Sequence, residues 1–431
     1  VYLLYNIFLT LLALPALIGH LLLGVLRGRT RQGLRERFGF YTVDRLTPLD
    51  GKKVIWVHAV SVGETQAAAP LVQSLKRRFP DRALVVSNVT ETGHKVALGS
   101  AGIDLCLYFP YDFPLTIKRV FRQLRPELVI IVETEIWPNF VRAASRSAVP
   151  TVLVNGRISD RSFPRYRWLR FFIQPVLRNF SLFCMQSPLD AERIVAMGAP
   201  AERVEVTRNL KFDMQTGGLA HGDPASVRRE FGLPEGGKVL VVGSTHAGEE
   251  ELVIEVYRRL LENGLDLVLV LAPRHPERCR AVGELLASSN LSFVRRSELD
   301  KTPAALSPGN VLLVDTVGEL LRFYAAADLV FVGGSLAPVG GHNVLEAALL
   351  KKPVLFGPNM HNFKEISRLL AEAGGGIEVA GKEELYREAL GLLGDSERCR
   401  AMGAKGHALL QQNRGATERT LQAIERVLGS R

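Results

Sequence analysis

Short apolar runs rich in β-branched residues recur along this chain, separated by amphipathic segments of helical spacing. One series occupies residues 54–57, 84–86, 128–132, 151–154 and 182–185; a second occupies 239–242, 267–271, 311–314, 329–332 and 353–356. Runs of this kind without polar alternation are buried on both faces, so each series predicts a parallel sheet covered by its crossover helices. The same α/β architecture is thus expected twice, and 431 residues suit two cores of about 200 residues each. Residues 211–224 contain Gly217, Gly218 and Gly222 with little periodicity, which reads as a linker and sets a boundary near residue 215. Leu421, Ile424 and Leu428 lie at helical spacing and predict a closing helix near 416–429.

Residues 2–26 are almost wholly apolar, interrupted only by Asn6, Thr10 and His20 and carrying no charge. That length can cross a bilayer. A cleaved signal would need a basic region before it and a small-x-small site after it, and neither is present; a buried or interfacial helix is the other alternative. Arg27, Arg29, Arg31, Arg35 and Arg37 follow directly, so a retained anchor would leave the rest of the chain on the cytoplasmic face. The expected organisation is an anchor at 1–27, an N-terminal domain at 28–215 and a C-terminal domain at 216–431 that includes the closing helix.

The net charge of +10 is compatible with nucleic acid or with an anionic membrane. Position favours the membrane, because Arg157, Arg161, Arg165, Arg167 and Arg170 interleave with Phe163, Tyr166, Trp168, Phe171 and Phe172. A solvated helix with an aromatic core face is the competing reading, and no nucleic-acid partner is expected. The four cysteines form no CxxC pair and have no histidines at ligand spacing, which argues against a zinc site and a disulfide framework.

Ligands of open parallel sheets bind beyond the carboxyl ends of the strands. With two sheets facing each other, the cleft between domains is the expected active site. The first strand runs into His58-Ala59-Val60-Ser61-Val62-Gly63-Glu64. Glu64 at that loop–helix junction either accepts a proton from an attacking hydroxyl or complements the helix dipole. Glu133 and Glu135 follow a later strand, where they would bind an acceptor, serve as another base or cap the next helix. In the second half Ser244 and Arg274 end adjacent strands and suit a nucleotide phosphate. Gly333, Gly334, Gly340 and Gly341 lead into a helix whose free N–H groups would attract phosphate, with Glu346 one turn in to grip ribose hydroxyls. No Asp-x-Asp occurs, so a metal bridging a sugar diphosphate is not indicated.

The ordered segments HAVSVGE, VETEIWPN, NGRISDRS, GSTHAGEEE, APRHPER, GGSLAPVGGHNVLEAA and FGPNMHNF closely resemble the Kdo transferases of lipopolysaccharide synthesis, over essentially the whole chain. The resemblance implies the GT-B fold, two Rossmann-like parallel-sheet domains facing a cleft. It implies transfer of 3-deoxy-D-manno-oct-2-ulosonic acid (Kdo) from CMP-Kdo to the tetraacyldisaccharide lipid A precursor with inversion, at the inner membrane. By motif, Glu64 corresponds to the general base, and Arg274, Asn343 and Glu346 to the CMP-binding positions. Ser244 and Gly341 are expected beside the phosphate on geometric grounds, and Glu135, Arg161, Arg165 and Arg167 on the acceptor and membrane side. CMP carries one phosphate, so neither a metal nor a cofactor is expected in the chemical step. Ala347 stands where the family often has proline, and 359–361 also differ from the usual pattern. A UDP-sugar lipid glycosyltransferase and a nucleotide-sugar epimerase of the same fold are the alternatives.

Overall fold

The computed structural model describes residues 1–12, 33–213, 223–299 and 305–429. The chain divides into two compact units, one of Val1–Met214 with Asn413–Arg431 and one of Gln215–Gln412.

The first unit is built on seven parallel strands: β1 (Val54–His58), β2 (Ala83–Asn88), β3 (Leu105–Tyr108), β4 (Pro126–Val132), β5 (Thr151–Gly156), β6 (Leu182–Met185) and β7 (Val204–Val206). Their order is β3-β2-β1-β4-β5-β6-β7, so the direction of winding reverses between β1 and β4. Trp56 on β1 is fully buried, edge-on to Phe140 at 4.9 Å, and its indole N–H donates to Ser87 Oγ at 2.8 Å. That single donor bond lets a large aromatic residue fill the core without an orphaned polar atom.

The second unit repeats the plan with β8 (Lys238–Thr245), β9 (Leu267–Pro273), β10 (Phe293–Arg295), β11 (Val311–Leu313), β12 (Leu329–Val332), β13 (Val354–Phe356) and β14 (Gly376–Glu378). The order β10-β11-β9-β8-β12-β13-β14 reverses between β8 and β12, and every strand pair is parallel. The apolar runs identify all ten of the inner strands. The four they miss, β3, β7, β10 and β14, are the four sheet edges. β7, β10 and β14 are three residues long and partly exposed, so they carry no long apolar run, whereas β3 is apolar and buried at all four of its positions but short.

Residues 413–431 belong to the first unit, not to the C-terminal domain in which the closing helix was expected. The helix Ala416–Gly429 buries Ala416, Leu421, Ala423 and Ile424 in the same cluster as Leu71, Leu75 and Val86. Asp213 fixes its start, accepting the N–H groups of Gly415 at 2.7 Å and Thr417 at 2.5 Å. Helical spacing told which face of this helix is apolar but not which sheet it covers. Cutting the chain after Gln412 should therefore expose the core of the first unit and leave the second folded. Limited proteolysis of the truncated protein should show the 215–412 fragment resistant and the first unit digested.

The expected anchor is only partly described. Residues 2–12 are helical; 13–32, including Arg27, Arg29 and Arg31, lie outside the described residues. Among the described residues no helix is long and apolar enough to cross a membrane. The helix is tied to the first unit: Tyr5 OH donates to Asp112 Oδ2 at 2.9 Å, and Asn139 Nδ2 to Asn6 Oδ1 at 2.6 Å. Arg37, expected in a basic collar, is buried, with its guanidinium donating to the Val89 carbonyl at 2.6 Å and lying over the Tyr108 ring. All four cysteines are free and buried.

Candidate active site

In a parallel sheet the carboxyl ends of the strands flanking a winding reversal leave a crevice that neighbouring loops do not fill. In the first unit these strands are β1 and β4, and they end at the sequence elements carrying Glu64, Glu133 and Glu135. Ser61 caps the helix Val62–Arg78, its Oγ accepting the Glu64 N–H at 3.5 Å, while Glu64 reaches back in the manner of a capping box. Its Oε2 accepts the Val60 N–H at 2.6 Å and its Oε1 the Ser61 hydroxyl at 3.0 Å. Both readings of Glu64 are thus compatible in one side chain, since the cap fixes the carboxyl that chemistry would use.

Burial is the largest influence on Glu64 and, with the neighbouring Glu133 and Glu135 charges, raises its pKa to about 7 against the pull of the two hydrogen bonds. A carboxyl poised there is a competent base at neutral pH. Glu135 is raised as well, by burial and then by Glu133. Glu133 itself adopts φ of 58°, a left-handed turn out of β4, and faces Lys211 at 3.8 Å. His58, the last residue of β1 and six positions before Glu64 in the same motif, is no base: it is buried against Phe109 and held down to about 3 by desolvation.

The corresponding strands of the second unit are β8 and β12. Ser244, near the end of β8, has φ of 60°, which for a non-glycine residue costs on the order of 1–2 kcal/mol. The turn places Gly333 so close that a Cβ there would meet the Ser244 carbonyl at 2.7 Å. The N–H groups directly after β12, ahead of the helix expected to attract phosphate, are occupied by the protein itself. The buried Glu249 carboxylate accepts from the backbone of Gly334, Ser335, Leu336 and Ala337 at 2.7–3.2 Å, and from His246 N–H at 3.0 Å. Gly341 N–H is likewise used, donating to the Gly334 carbonyl at 2.7 Å. Gly341 has φ of 72°, and a Cβ there would strike Met360 Sδ at 2.1 Å, so this turn requires glycine.

Around this braced loop stand the other expected donor-site residues. Asn343 Oδ1 accepts the Leu345 N–H at 3.1 Å at the start of the short helix Leu345–Leu349. Burial raises Glu346 to about 7, opposed by the charge of Arg274 and a hydrogen bond with Asn343. Arg274 is exposed after β9, its backbone N–H donating to the Thr245 carbonyl at 3.0 Å. His246 and His342 stack with their Nε2 atoms 2.9 Å apart, which requires one N–H and one lone pair. Burial lowers both, His342 to about 4, with Arg274 the next influence on His342, so the pair is neutral at pH 7. Sequence reasoning assigned no role to Glu249, His246 or His342. The one local signal is the acidic run Glu249-Glu250-Glu251 beyond the first strand of the second unit, within which only the fold distinguishes Glu249.

Arg161, Arg165 and Arg167 lie on or beside the helix Phe163–Trp168 and are exposed, as are Trp168 and Phe171. Phe163, Tyr166 and Phe172 pack on the core instead, so the segment is a helical face with an aromatic inner side and a basic outer one.

Residues 32–214 match the family model described as 3-Deoxy-D-manno-octulosonic-acid transferase (kdotransferase). A 3-deoxy-D-manno-octulosonic acid transferase of Haemophilus influenzae is 36% identical over 406 residues, covering 94% of this chain and 93% of that protein. One from Bordetella pertussis is 34% identical, with 87% of each chain covered. Among solved structures, a putative UDP-N-acetylglucosamine 2-epimerase from Listeria monocytogenes aligns with 88% of this chain and 98% of its own at a TM-score of 0.58. At 18% identity that likeness concerns the fold alone.

Proposed function

We infer the activity from one premise: this chain belongs to the 3-deoxy-D-manno-octulosonic-acid transferase family. It is a glycosyltransferase that moves Kdo from CMP-Kdo to the lipid A precursor. The observation that carries the chemistry is Glu64, fixed by its cap at the end of β1 with a pKa of about 7. Glu64 removes the proton of the acceptor hydroxyl as that oxygen attacks the anomeric carbon; the glycosidic bond forms, the bond to CMP breaks, and the configuration inverts. One carboxylate serves such a single displacement.

CMP is held in the second unit by Arg274, Asn343 and Glu346, near Ser244 and Gly341. Because Glu249 already occupies the N–H groups after β12, charge on the departing phosphate falls to Arg274, which has the geometry to grip it by a forked pair of bonds. No metal ion is proposed for the chemical step, and activity should persist in a chelator. Glu135 with Arg161, Arg165 and Arg167 is proposed to meet the acceptor and the anionic surface of the inner membrane, with both units on its cytoplasmic face. The exposed leucines of the N-terminal helix support a membrane attachment.

The test is an assay of the detergent-solubilised protein with CMP-Kdo and the tetraacyl disaccharide, read by product mass. A gain of one or more Kdo units supports the reading; no gain with CMP still bound overturns the acceptor assignment. Calorimetric titration with CMP should show Glu346→Ala binding at least about tenfold more weakly, the cost of one hydrogen bond to a charged group.

A further inference from the structure

We propose that a groove between the helices Pro114–Leu124 and Pro138–Arg146 of the first unit seats the phosphate headgroup of an anionic membrane phospholipid, gripped by Lys118, Arg122, Arg142 and Arg146. The proposal rests on the membrane reading given above and supplies the headgroup site that reading lacks. The groove has a volume of about 500 Å³, and no carboxylate lines it. Lys118 and Arg122 stand four residues apart on one helix, Arg142 and Arg146 four apart on the other. Like charges at that spacing repel. Two such pairs converge here, and none of the four cations forms an ion pair with a carboxylate among the described residues. Cations that repel one another at this spacing are complementary to an anionic phosphate accepting hydrogen bonds from both sides.

The surroundings identify the source of that phosphate as a lipid. Asn6 of the N-terminal helix lines the groove, and Arg142 lies 4.0 Å from the ring of Tyr2 on the same helix. The buried Asp112 holds this helix in place, binding Tyr5 OH at 2.9 Å as well as the N–H groups of Asn139 and Phe140 at 3.0 and 2.7 Å. With Tyr2, Tyr5 and Asn6 turned to the unit, the helix presents Leu3, Leu4, Ile7, Phe8, Leu11 and Leu12 outward, all about half exposed or more. Leu115, at the groove itself, is 78% exposed. A free phosphate has no use for these apolar surfaces, whereas acyl chains leaving a bound headgroup would cover them.

The test uses the full chain, diluted from neutral detergent into an equal mixture of phosphatidylcholine vesicles and vesicles enriched in phosphatidylglycerol. Apolar insertion contributes equally to both, so the ratio of bound protein isolates the charge-specific part. Lys118→Gln, Arg122→Gln and Arg146→Gln together change only exposed side chains, and should lower the preference about fivefold per charge, on the order of 100-fold in all. The charge-retaining triple Lys118→Arg, Arg122→Lys, Arg146→Lys should keep most of it. Neutralising the exposed Arg258, Arg280 and Arg400 of the second unit removes the same charge elsewhere; an equal loss there would overturn the groove in favour of net charge alone. Displacement of the wild-type protein by millimolar inorganic phosphate at constant ionic strength would overturn the lipid assignment. A groove variant that keeps the wild-type preference removes the groove but leaves the membrane reading standing, whereas a wild-type protein with no preference removes both. Neither outcome touches Kdo transfer.

Discussion

Glu64→Gln should lower turnover on the order of 10²- to 10⁴-fold while CMP-Kdo binding stays within about twofold of wild type, because a positioned base acts on the transition state and not on the bound donor. The pH profile supplies the sharper test. A base must be ionised, and a pKa of about 7 means that wild-type activity rises with pH through neutrality, reaching about a tenth of its plateau one unit below that value. The glutamine variant should lose this limb. Raising the pKa of a buried acid also has a stability consequence of definite sign. The contribution of Glu64 is complete below its ordinary value of 4.5 and falls away as the pH climbs through 7, so ionisation of Glu64 stabilises nothing. A glutamine, neutral throughout, should therefore unfold no more easily than wild type at pH 8, which separates lost chemistry from lost structure. A variant that fails to bind CMP-Kdo would refute the assignment.

Glu249→Gln is expected to produce the largest effect on structure. The carboxylate offers only acceptors to the five backbone N–H groups around it. A carboxamide keeps the shape but points an NH₂ group at some of those donors, leaving buried N–H groups without partners. Removing one side of a buried charged hydrogen-bond network costs about 3–5 kcal/mol, which for a unit of about 200 residues corresponds to a fall in Tm of roughly 10 °C. The turn carrying Gly340 to Glu346 hangs from the same loop through the bond from Gly341 N–H to the Gly334 carbonyl, so CMP affinity should fall with it. Thermal unfolding and CMP calorimetry on the same sample measure both. Unchanged values would mean that the loop is held by Ser335, whose hydroxyl donates to the Val332 carbonyl and accepts the Gly357 N–H.

Much of the molecule is legible in its residues. Ten buried strands announce themselves because a strand covered on both faces must be continuously apolar, and the division near residue 215 follows from a glycine-containing stretch with little periodicity. The motif carrying Glu64 is readable too, since strand, cap and acid lie within a few consecutive positions and obey local rules.

What the residues do not reveal is set by contacts between distant segments. Neither the strand order that places the ends of β1 and β4, or of β8 and β12, beside a winding reversal nor the sheet onto which 413–431 folds is encoded in any local period. The loop after β12 shows the difference most directly. Its glycines suggest an open anion site when read alone, yet Glu249, more than eighty positions earlier, fills it with the protein's own carboxylate. Sequence by itself determined the two α/β domains, their inner strands and the family. Only the tertiary structure decided which acids are buried and which N–H groups are spent, because burial and hydrogen-bond partners are properties of the packed chain and not of its neighbours in sequence.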